Sequence, residues 1–541
     1  MKKATALLIV LVMLASFAGC YYGNDVAVQS TSTVQYPVEE VDPAAVTAQP
    51  TSKPAATPEE EVSVEIELGQ PTERGIVTEI MSVDKEVTVP QVVKGDHQVT
   101  VTTPILYCDS DAGEFIYGRL EELEKELKSH AEETLQQLVE YAENDKSKAD
   151  YSSETQALVI RSDTAVLSIL LVEHFDANGV HPWDYYTSKT YAFETGDVLE
   201  ITDVVHDVSA LKPYILDRIK TLMETDSTAE YEADVDRILE EKNFAWTAGY
   251  RGLTVYLDAG SVLPNAAGPV IAYIPYAAEE DLFEEIYTIY GAQTEGHSAN
   301  YEPELEYCFD LKNSGETDRI MLTGEKDNDD YYTNLKIIVN DQECVIPQTL
   351  CFVARPYFVQ KDDRVYMYIG TIWDNDYNIF YIVELTGGTP VLLGTLEGVG
   401  LAPAERDGKY LSRIVFDPNA FELVTLMETL STVGAKKTYH IGKDGMPESD
   451  DKYYFVIDSI VLTSKQELTL TVIDPKTDEK DGDGEYPAGS KFRLFRTDNN
   501  TIMDVLDKEG RIIRLECSFE YPETINDIDA QEAFEGFFYA G

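Results

Sequence analysis

Basic residues are scarce in this 541-residue sequence, where 42 Lys and Arg stand against 99 Asp and Glu and give a formal net charge of -57. Such a surface repels phosphate, so the sequence excludes a nucleic-acid partner and disfavours anionic membrane surfaces. Cations and cationic proteins are the partners that this charge favours. Hydrophobic residues make up 43% of the chain, which is enough to bury a core over most of its length.

Catalytic motifs are also missing. The sequence has no Gly-x-Ser-x-Gly elbow and no Gly-x-x-x-x-Gly-Lys phosphate loop, and its seven His follow no metal-ligand spacing. Carboxylate pairs occur throughout so acidic a chain, so they carry no information about glycosidase chemistry. We therefore expect a non-enzymatic protein without a cofactor.

Cysteine is rare. Apart from Cys20, the chain carries five cysteines, Cys108, Cys308, Cys344, Cys351 and Cys517. Their number is odd and their spacing matches no zinc pattern. A disulfide from Cys344 to Cys351 or Cys308 and a set of buried free thiols are both compatible with the sequence.

The N-terminus has the layout of a bacterial secretory signal: two lysines, an apolar run over 4–18, then Ala-Gly before Cys20. A cysteine at this place resembles the lipobox of bacterial lipoproteins, in which the thiol is lipidated and becomes the first residue of the mature chain. We expect residues 1–20 to be a signal peptide and the lipid on Cys20 to be the membrane anchor. An uncleaved anchor and a plain secreted protein are the alternatives.

Residues 21–75 are rich in Pro, Thr, Ala and Glu and have little to bury. This composition predicts an extended, disordered tether that carries the folded part away from the membrane. The length of the chain leaves room for more than one folded region beyond it.

The first folded region is predicted at 76–292. Apolar residues at helical spacing predict a helix over 113–143, and the apolar stretch 156–174 predicts two strands joined at Asp163. A hairpin turning at Gly196, helices near 208–224, 229–242 and 279–290, and strands at 253–257 and 270–274 complete the pattern. These elements predict an α+β domain, an antiparallel sheet with helices on one face.

Short motifs follow one another in this region in a definite order. Asn-Gly-Val-His-Pro at 178–182 precedes Thr-Gly-Asp at 195–197, and Gly-Leu-Thr-Val-Tyr-Leu at 252–257 precedes Asn-Ala-Ala-Gly-Pro at 265–269. This order resembles the extracellular domain of the anti-sigma factor RsiV, which is also the non-catalytic front half of the deacetylase PdaC. The half at 85–175 resembles the companion segment before that domain, and 176–292 resembles the domain itself. The resemblance implies structural roles for its motif positions, His181, Pro182, Gly196, Asp203, Gly252, Gly268 and Pro269.

In the anti-sigma factor this domain of unknown function recognises lysozyme, a cationic muramidase, and in the deacetylase it accompanies a separate catalytic domain. Only three residues precede the apolar run, so we expect no cytoplasmic segment that could hold a sigma factor. The Thr-Phe-Asp-Asp-Gly run of the deacetylase site is missing. The resemblance therefore implies a binding or structural module.

The second region, 300–541, is rich in short strand-like runs separated by turn clusters, with a hairpin expected at 504–515. The pattern predicts a β-rich fold, a sandwich, a barrel or part of a propeller, with two subdomains as one alternative.

Two acidic stretches of the second region have calcium-loop character. The segment 310–318 has alternating oxygen ligands, but Lys312 occupies a ligand position. Asp481, Asp483 and Glu485 are a denser set that could hold calcium weakly. The alternatives are a turn and a solvated acidic loop.

Aromatic clusters at 183–186, 331–332, 373 and 377 suit stacking on sugar rings or ordinary core packing. The sequence thus leaves two functions open. The first is a surface lipoprotein that binds a cationic wall-acting protein such as lysozyme. The alternative is a protein that binds peptidoglycan or polysaccharide, or supports the envelope structurally.

Overall fold

A computed structural model describes residues 80–86, 92–94, 97–108, 114–144, 150–177, 183–288, 296–327, 331–347, 350–373, 377–406 and 409–540. The predicted signal peptide, Cys20 and the whole of the predicted tether lie outside these ranges. None of the described helices is both long enough and apolar enough to cross a bilayer.

Up to residue 288, strands alternate with helices. The strands are β1 (Ile80–Glu86), β2 (Val92–Lys94), β3 (His97–Cys108), β4 (Tyr151–Ser162), β5 (Val166–Asp176), β6 (Trp183–Ala192), β7 (Ala245–Ala248), β8 (Gly252–Leu257) and β9 (Val270–Pro275). The helices are α1 (Glu114–Asn144), α2 (Ile201–Val204), α3 (Lys212–Leu222) and α4 (Glu232–Glu241).

Beyond residue 295 nearly all the regular elements of the described chain are strands. The first group is β10 (Gly296–Asn300), β11 (Tyr307–Phe309), β12 (Asp318–Lys326), β13 (Tyr332–Val339), β14 (Gln342–Val345), β15 (Leu350–Cys351), β16 (Val353–Lys361), β17 (Arg364–Ile372), β18 (Asn378–Glu384) and β19 (Val391–Glu397). The second group is β20 (Val399–Leu401), β21 (Ala404–Arg406), β22 (Lys409–Val415), β23 (Phe421–Glu428), β24 (Thr432–Ile441), β25 (Pro447–Glu448), β26 (Tyr454–Val456), β27 (Val461–Ser464), β28 (Leu468–Ile473), β29 (Lys480–Tyr486), β30 (Lys491–Thr497), β31 (Ile502–Leu506), β32 (Ile512–Ser518), β33 (Thr524–Ile525), β34 (Ile528–Asp529) and β35 (Phe534–Glu535). One short helix, α5 (Ala530–Ala533), lies between the last two strands.

The first sheet has the strand order β21-β22-β1-β3-β4-β5-β6 and is antiparallel except where β3 runs parallel to β4. Helix α1 covers one face, because its apolar side chains recur every three or four residues and form one buried stripe. A small sheet, β7-β8-β9, covers the other face through Tyr256 and Ile271. Helices α3 and α4 pack on the far side of the small sheet.

The predicted α+β class is confirmed, with its helices divided between two sheets. Residues 279–290 were predicted as one helix, and the structure has a 3-10 turn at Glu280–Leu282, a β-bridge from Phe283 to Val205 and helical residues at 285–288. Phe283 is buried among apolar side chains, and its pairing in an extended conformation interrupts the helix.

The β-rich prediction for the second region is also confirmed. The second sheet, β10-β16-β17-β18-β19, is buried on both faces, against a third sheet built from β11 to β14 and against Phe416, Phe421 and Leu423. Burial on both faces explains its unbroken apolar runs, such as those at 365–369 and 379–383. The fourth sheet, from β20 to β29 in strand order, packs on its own core, and none of the described sheets closes into a barrel.

The division into regions at about 292–300 stays a prediction. The first sheet draws β21 and β22 from the second region, and β22 pairs with β1 from Ile80↔Val415 to Ser82↔Ser412. The five cysteines beyond Cys20 form no disulfide within the described residues, and burial raises the pKa of Cys308, Cys351 and Cys517 to about 12.

A buried ion pair lies at the turn between β4 and β5. The Arg161 Nε donates to the Asp163 Oδ2 at 2.8 Å, and both side chains are fully buried. The same guanidinium donates to the carbonyls of Gly249 and Tyr287, which belong to two other segments. The second oxygen of Asp163 accepts the backbone N–H of Val166. The ion pair therefore fixes the turn and ties it to the segments that carry Gly249 and Tyr287.

Breaking this pair should be costly. We expect Arg161→Met to lower the free energy of unfolding by about 3–5 kcal/mol, because it leaves the Asp163 carboxylate buried and unpaired. Arg237→Met is the matched control, since Arg237 is half exposed and its pairs with Asp234 and Glu241 are worth about 0–1 kcal/mol. Chemical denaturation of both variants decides, and a loss below about 1 kcal/mol for Arg161→Met contradicts this role.

A buried histidine stands beside the ion pair. The ring of His297 in β10 stacks on Tyr250 with the ring centroids 3.4 Å apart, and neither ring nitrogen has a hydrogen-bond partner among the described residues. Burial, with the nearby charges of Arg251 and Arg161, holds the pKa of His297 well below its usual range. The imidazole is therefore neutral in the folded protein at neutral pH.

This histidine should make stability depend on pH. Below about pH 6.5 the unfolded chain binds a proton at His297 that the folded chain resists, so stability is lost as the pH falls. We expect the free energy of unfolding to fall more steeply from pH 7 to pH 5 in the natural protein than in His297→Phe, which keeps the ring stack. Equal slopes in denaturation series at the two pH values would contradict this assignment.

Candidate functional site

Several family-motif positions have clear local roles. Gly196 has φ +70°, its carbonyl accepts from the Arg119 Nε at 2.6 Å, and a Cβ there would lie 3.0 Å from the Phe115 Cβ. The predicted turn at Gly196 is therefore present, with a single bridge between Tyr191 and Val198, and helix α1 packs against it.

The remaining described motif positions also belong to turns, caps and close contacts. The Asp203 carboxylate accepts the N–H of Glu200 at 2.8 Å in the capping box of α2. A Cβ on Gly252 would lie 2.3 Å from the Tyr273 ring, so this strand passes too close for a side chain. Gly268, with φ +77°, and Pro269 follow a 3-10 turn. His181 and Pro182 lie outside the described residues.

The calcium candidates occupy a strand. Asp481, Asp483 and Glu485 alternate along β29, so they share its exposed face but project side by side rather than toward one point. Asp483 pairs with Lys480, and Glu485 accepts from the Thr469 hydroxyl. Within the described ranges, no group of three His, Cys, Asp or Glu side chains is placed to hold a metal ion.

The segment 310–318 is a turn that its own carboxylate closes. The Asp310 oxygens accept the backbone N–H groups of Ser314 and Gly315 at 2.9 and 2.7 Å. Asp318 accepts the N–H of Leu311. These bonds agree with the turn alternative.

An aromatic surface forms where β5 and β6 meet the end of α1. Trp183 lies directly opposite Phe175 in the strand register, with the ring centroids 6.1 Å apart. Tyr185 and Tyr141 approach Phe175 edge-on at 6.4 and 6.5 Å. Phe175 is buried, whereas Trp183, Tyr185 and Tyr141 are 37%, 45% and 46% exposed, so three rings around one buried ring face solvent. We call these four residues the aromatic surface.

A carboxylate lies at the edge of the aromatic surface. Glu173 pairs with Tyr185 across the strands, and its side chain accepts from the Ser153 hydroxyl at 2.6 Å and meets the His130 Nε2 at 2.8 Å. Burial alone would raise the pKa of Glu173, but the bonds from His130 and Ser153 hold it below the usual value. The same contact raises the pKa of His130. Glu173 is therefore ionised at neutral pH.

The other face of the same strands carries different chemistry. The His174 Nδ1 lies 2.5 Å from the Asp184 Oδ1, and this contact raises the pKa of His174. Tyr186 is buried and stacks on Tyr256. Because successive side chains of a strand point to opposite faces, the predicted cluster 183–186 is divided. Trp183 and Tyr185 lie on the aromatic surface, and Asp184 and Tyr186 lie on the other face.

In the other predicted aromatic clusters, the rings mostly contact neighbouring side chains of the chain itself. Tyr332 is buried under Lys326, and Tyr331 packs on Phe352. The Trp373 indole N–H donates to the Thr371 hydroxyl. Tyr377 is 45% exposed, with its hydroxyl donating to Glu397.

Exposed Trp and Tyr ring faces suit a cation. A guanidinium or ammonium over such a ring is attracted by the ring. Sequence reasoning identified Trp183 and Tyr185 as part of an aromatic cluster suited to sugar rings. It missed Tyr141, Phe175, Glu173 and His130, because only the docking of α1 on the sheet brings them together.

Comparisons with known proteins add little. No protein-family model matches the chain, and no curated protein matches it. Among solved structures, a DUF3298 family member from Bacteroides fragilis is 14% identical, with 41% of this chain and 98% of that chain covered and a TM-score of 0.29. A DUF3298 family protein from Pseudomonas aeruginosa is 15% identical, with 40% and 98% covered and the same TM-score of 0.29. At these scores the likeness carries no argument about this chain.

Proposed function

We propose that the chain is a non-enzymatic binding protein of the bacterial cell surface whose partner is a cationic wall-acting protein such as lysozyme. The observation that carries the proposal is the aromatic surface beside the ionised Glu173, on a chain of net charge -57. The resemblance of 176–292 to a lysozyme-recognising domain agrees with it.

The net charge supplies attraction at a distance but little selectivity. Acidic side chains draw any cationic protein and speed its encounter, and salt screens this effect. A specific complex needs contacts that exclude water. Trp and Tyr are the residues on which interface energy concentrates, because they bury large rigid areas. The aromatic surface offers such contacts, with the exposed Trp183 and Tyr185 packed around the buried Phe175.

Lysozyme binding should survive salt and depend on these rings. Residues Pro71–Gly541 form one compact unit and can be titrated calorimetrically against hen lysozyme at about 0.1 M and about 1 M NaCl. We expect saturable 1:1 binding at both salt concentrations. Replacing Trp183 and Tyr185 with Ala should weaken it by about 2 kcal/mol or more, the cost of removing a binding hot spot.

The matched control is Tyr377→Ala, because Tyr377 is as exposed as Tyr185 and lies just before β18 of the second sheet. It should leave the affinity unchanged. Cytochrome c, a cationic protein of another fold, should lose its binding at the higher salt concentration. Loss of lysozyme binding at the higher salt concentration would refute the proposal. An equal loss of affinity for lysozyme in the Tyr377→Ala control and in the variant that lacks Trp183 and Tyr185 would also refute it.

Cell-wall glycan is the second candidate. The exposed faces of Trp183 and Tyr185 are suited to the apolar face of a sugar ring, and carboxylates such as Glu173 accept bonds from sugar hydroxyls. Cosedimentation with purified sacculi separates the two candidates. Enrichment in the pellet that the Trp183 and Tyr185 variants lose would favour glycan over a protein partner.

We propose that Cys20 anchors the protein on the outer face of the cell membrane. The basic start, the short apolar run and the Ala-Gly-Cys ending support this anchor. An acyl chain contributes about 0.8 kcal/mol per buried CH2, and one chain alone is marginal, so stable anchoring requires two or more chains.

Cys20→Ala should move the protein from the membrane to the soluble fraction. Cells labelled with a radioactive fatty acid should show a labelled band for the natural chain and none for the variant. Cys344→Ala, which changes a free and partly exposed thiol, is the control and should keep the label. A labelled Cys20→Ala protein would contradict the lipoprotein assignment.

A further inference from the structure

A cleft of about 390 Å³ opens where strands β3 and β4 separate. Their parallel pairing ends at Thr102↔Glu154, and two residues later β3 contains Pro104, which has no N–H to donate to a neighbouring strand. Strands β10, β16 and β22 supply the other walls. The volume falls in the range of small-molecule sites in proteins.

The walls of the cleft are fixed by hydrogen bonds. The Asn300 side chain of β10 accepts the N–H of Val159 at 2.6 Å and donates to the carbonyl of Ala157 at 3.1 Å, so it takes the place of a strand along β4. The Tyr357 hydroxyl of β16 donates to the carbonyl of Arg413 in β22 at 3.0 Å. The cleft is therefore formed before any ligand enters.

The lining presents charges of both signs. Glu154 and Gln156 are on the same face of β4, because residues two apart in a strand share a face. Glu302 follows β10, and Arg355 of β16 contacts the Ser412 hydroxyl at 3.4 Å. Thr103 also lines the cleft, and its hydroxyl is buried without a hydrogen-bond partner in the described part of the chain. Such a group in a native structure calls for a partner.

This composition restricts the ligand. Glu154, Glu302 and Arg355 bring both signs of charge to the lining, so the cleft presents no surface of a single sign to an anion or a cation. The described residues include no cluster that would hold a metal ion. What fits is a neutral ligand with many groups that each donate and accept, and with an apolar face for Pro104, Pro356 and the Tyr357 ring.

We propose that this cleft binds one or two sugar rings of a short neutral saccharide. Sugar hydroxyls donate to Glu154 and Glu302 and accept from Arg355 and Gln156, while the ring C–H face lies on the prolines and Tyr357. The site goes beyond the proposed function, since it requires no cationic protein and lies apart from the aromatic surface.

Titration calorimetry of Pro71–Gly541 with triacetylchitotriose and with maltotriose tests the site. We expect saturable 1:1 binding of at least one of them. Gln156→Leu and Arg355→Met should each weaken it about tenfold, the effect of losing one buried polar contact. Gln342→Leu, the same change at an exposed position of β14, should leave it unchanged. Circular dichroism melting checks that all variants fold.

Two further samples distinguish the cleft from the aromatic surface and a neutral sugar from a charged ligand. The Trp183→Ala, Tyr185→Ala double variant should bind the saccharide normally, and loss there would assign the sugar to the aromatic surface instead. The zwitterionic dipeptide Ala-Ala should not bind. Binding of the dipeptide alone, or of neither trisaccharide at millimolar concentration, would overturn the proposal, and lysozyme binding by the same sample would be unaffected.

Discussion

The arrangement of the segments that meet at the turn between β4 and β5 depends on the buried pair of Arg161 and Asp163. A guanidinium and a carboxylate that are both fully buried cost several kcal/mol to desolvate, and their mutual attraction with further hydrogen bonds offsets that cost. The bonds to Gly249, Tyr287 and the turn at Asp163 use the Arg161 Nε and Nη1, so the segments that carry these groups are held in one arrangement. Tyr250 and His297 stack beside the pair and extend the same arrangement to β10.

The positions of the two candidate surfaces, the aromatic surface and the cleft, follow from the strands that leave this turn. Strands β4 and β5 leave the turn at Asp163 and run to the far end of the first sheet, where Phe175 meets Trp183 and α1. On the opposite face β4 carries Glu154 and Gln156 to the cleft beside β10. The hairpin of β4 and β5 thus contributes Phe175 to the aromatic surface on one side and Glu154 and Gln156 to the cleft on the other. The alternation of side chains along a strand makes this division possible.

The acidic composition acts on these surfaces in different ways. It attracts cationic proteins over long distances and is screened by salt, so by itself it selects no partner. Charged side chains whose neighbours are fixed by the fold act differently from this diffuse attraction. Glu173 is held by His130 and Ser153, and Arg355 is placed in the cleft by β16. Selectivity in so acidic a protein depends on such positions.

Most of the secondary-structure elements could be predicted from the order of the residues. The stripe of Ile116, Leu120 and Leu123 predicted α1, and the unbroken apolar runs at 365–369 and 379–383 predicted strands, because local periodicity indicates which face is buried. The charge and the N-terminal pattern led to the kind of partner and the anchor that we propose. The pairing of β22 with β1, the contact that brings Tyr141 to the aromatic surface, and the shared cleft of Glu154 and Arg355 became visible in the folded chain alone. These contacts join residues far apart in the chain, and the pattern of one segment contains no information about which distant segment will pack against it.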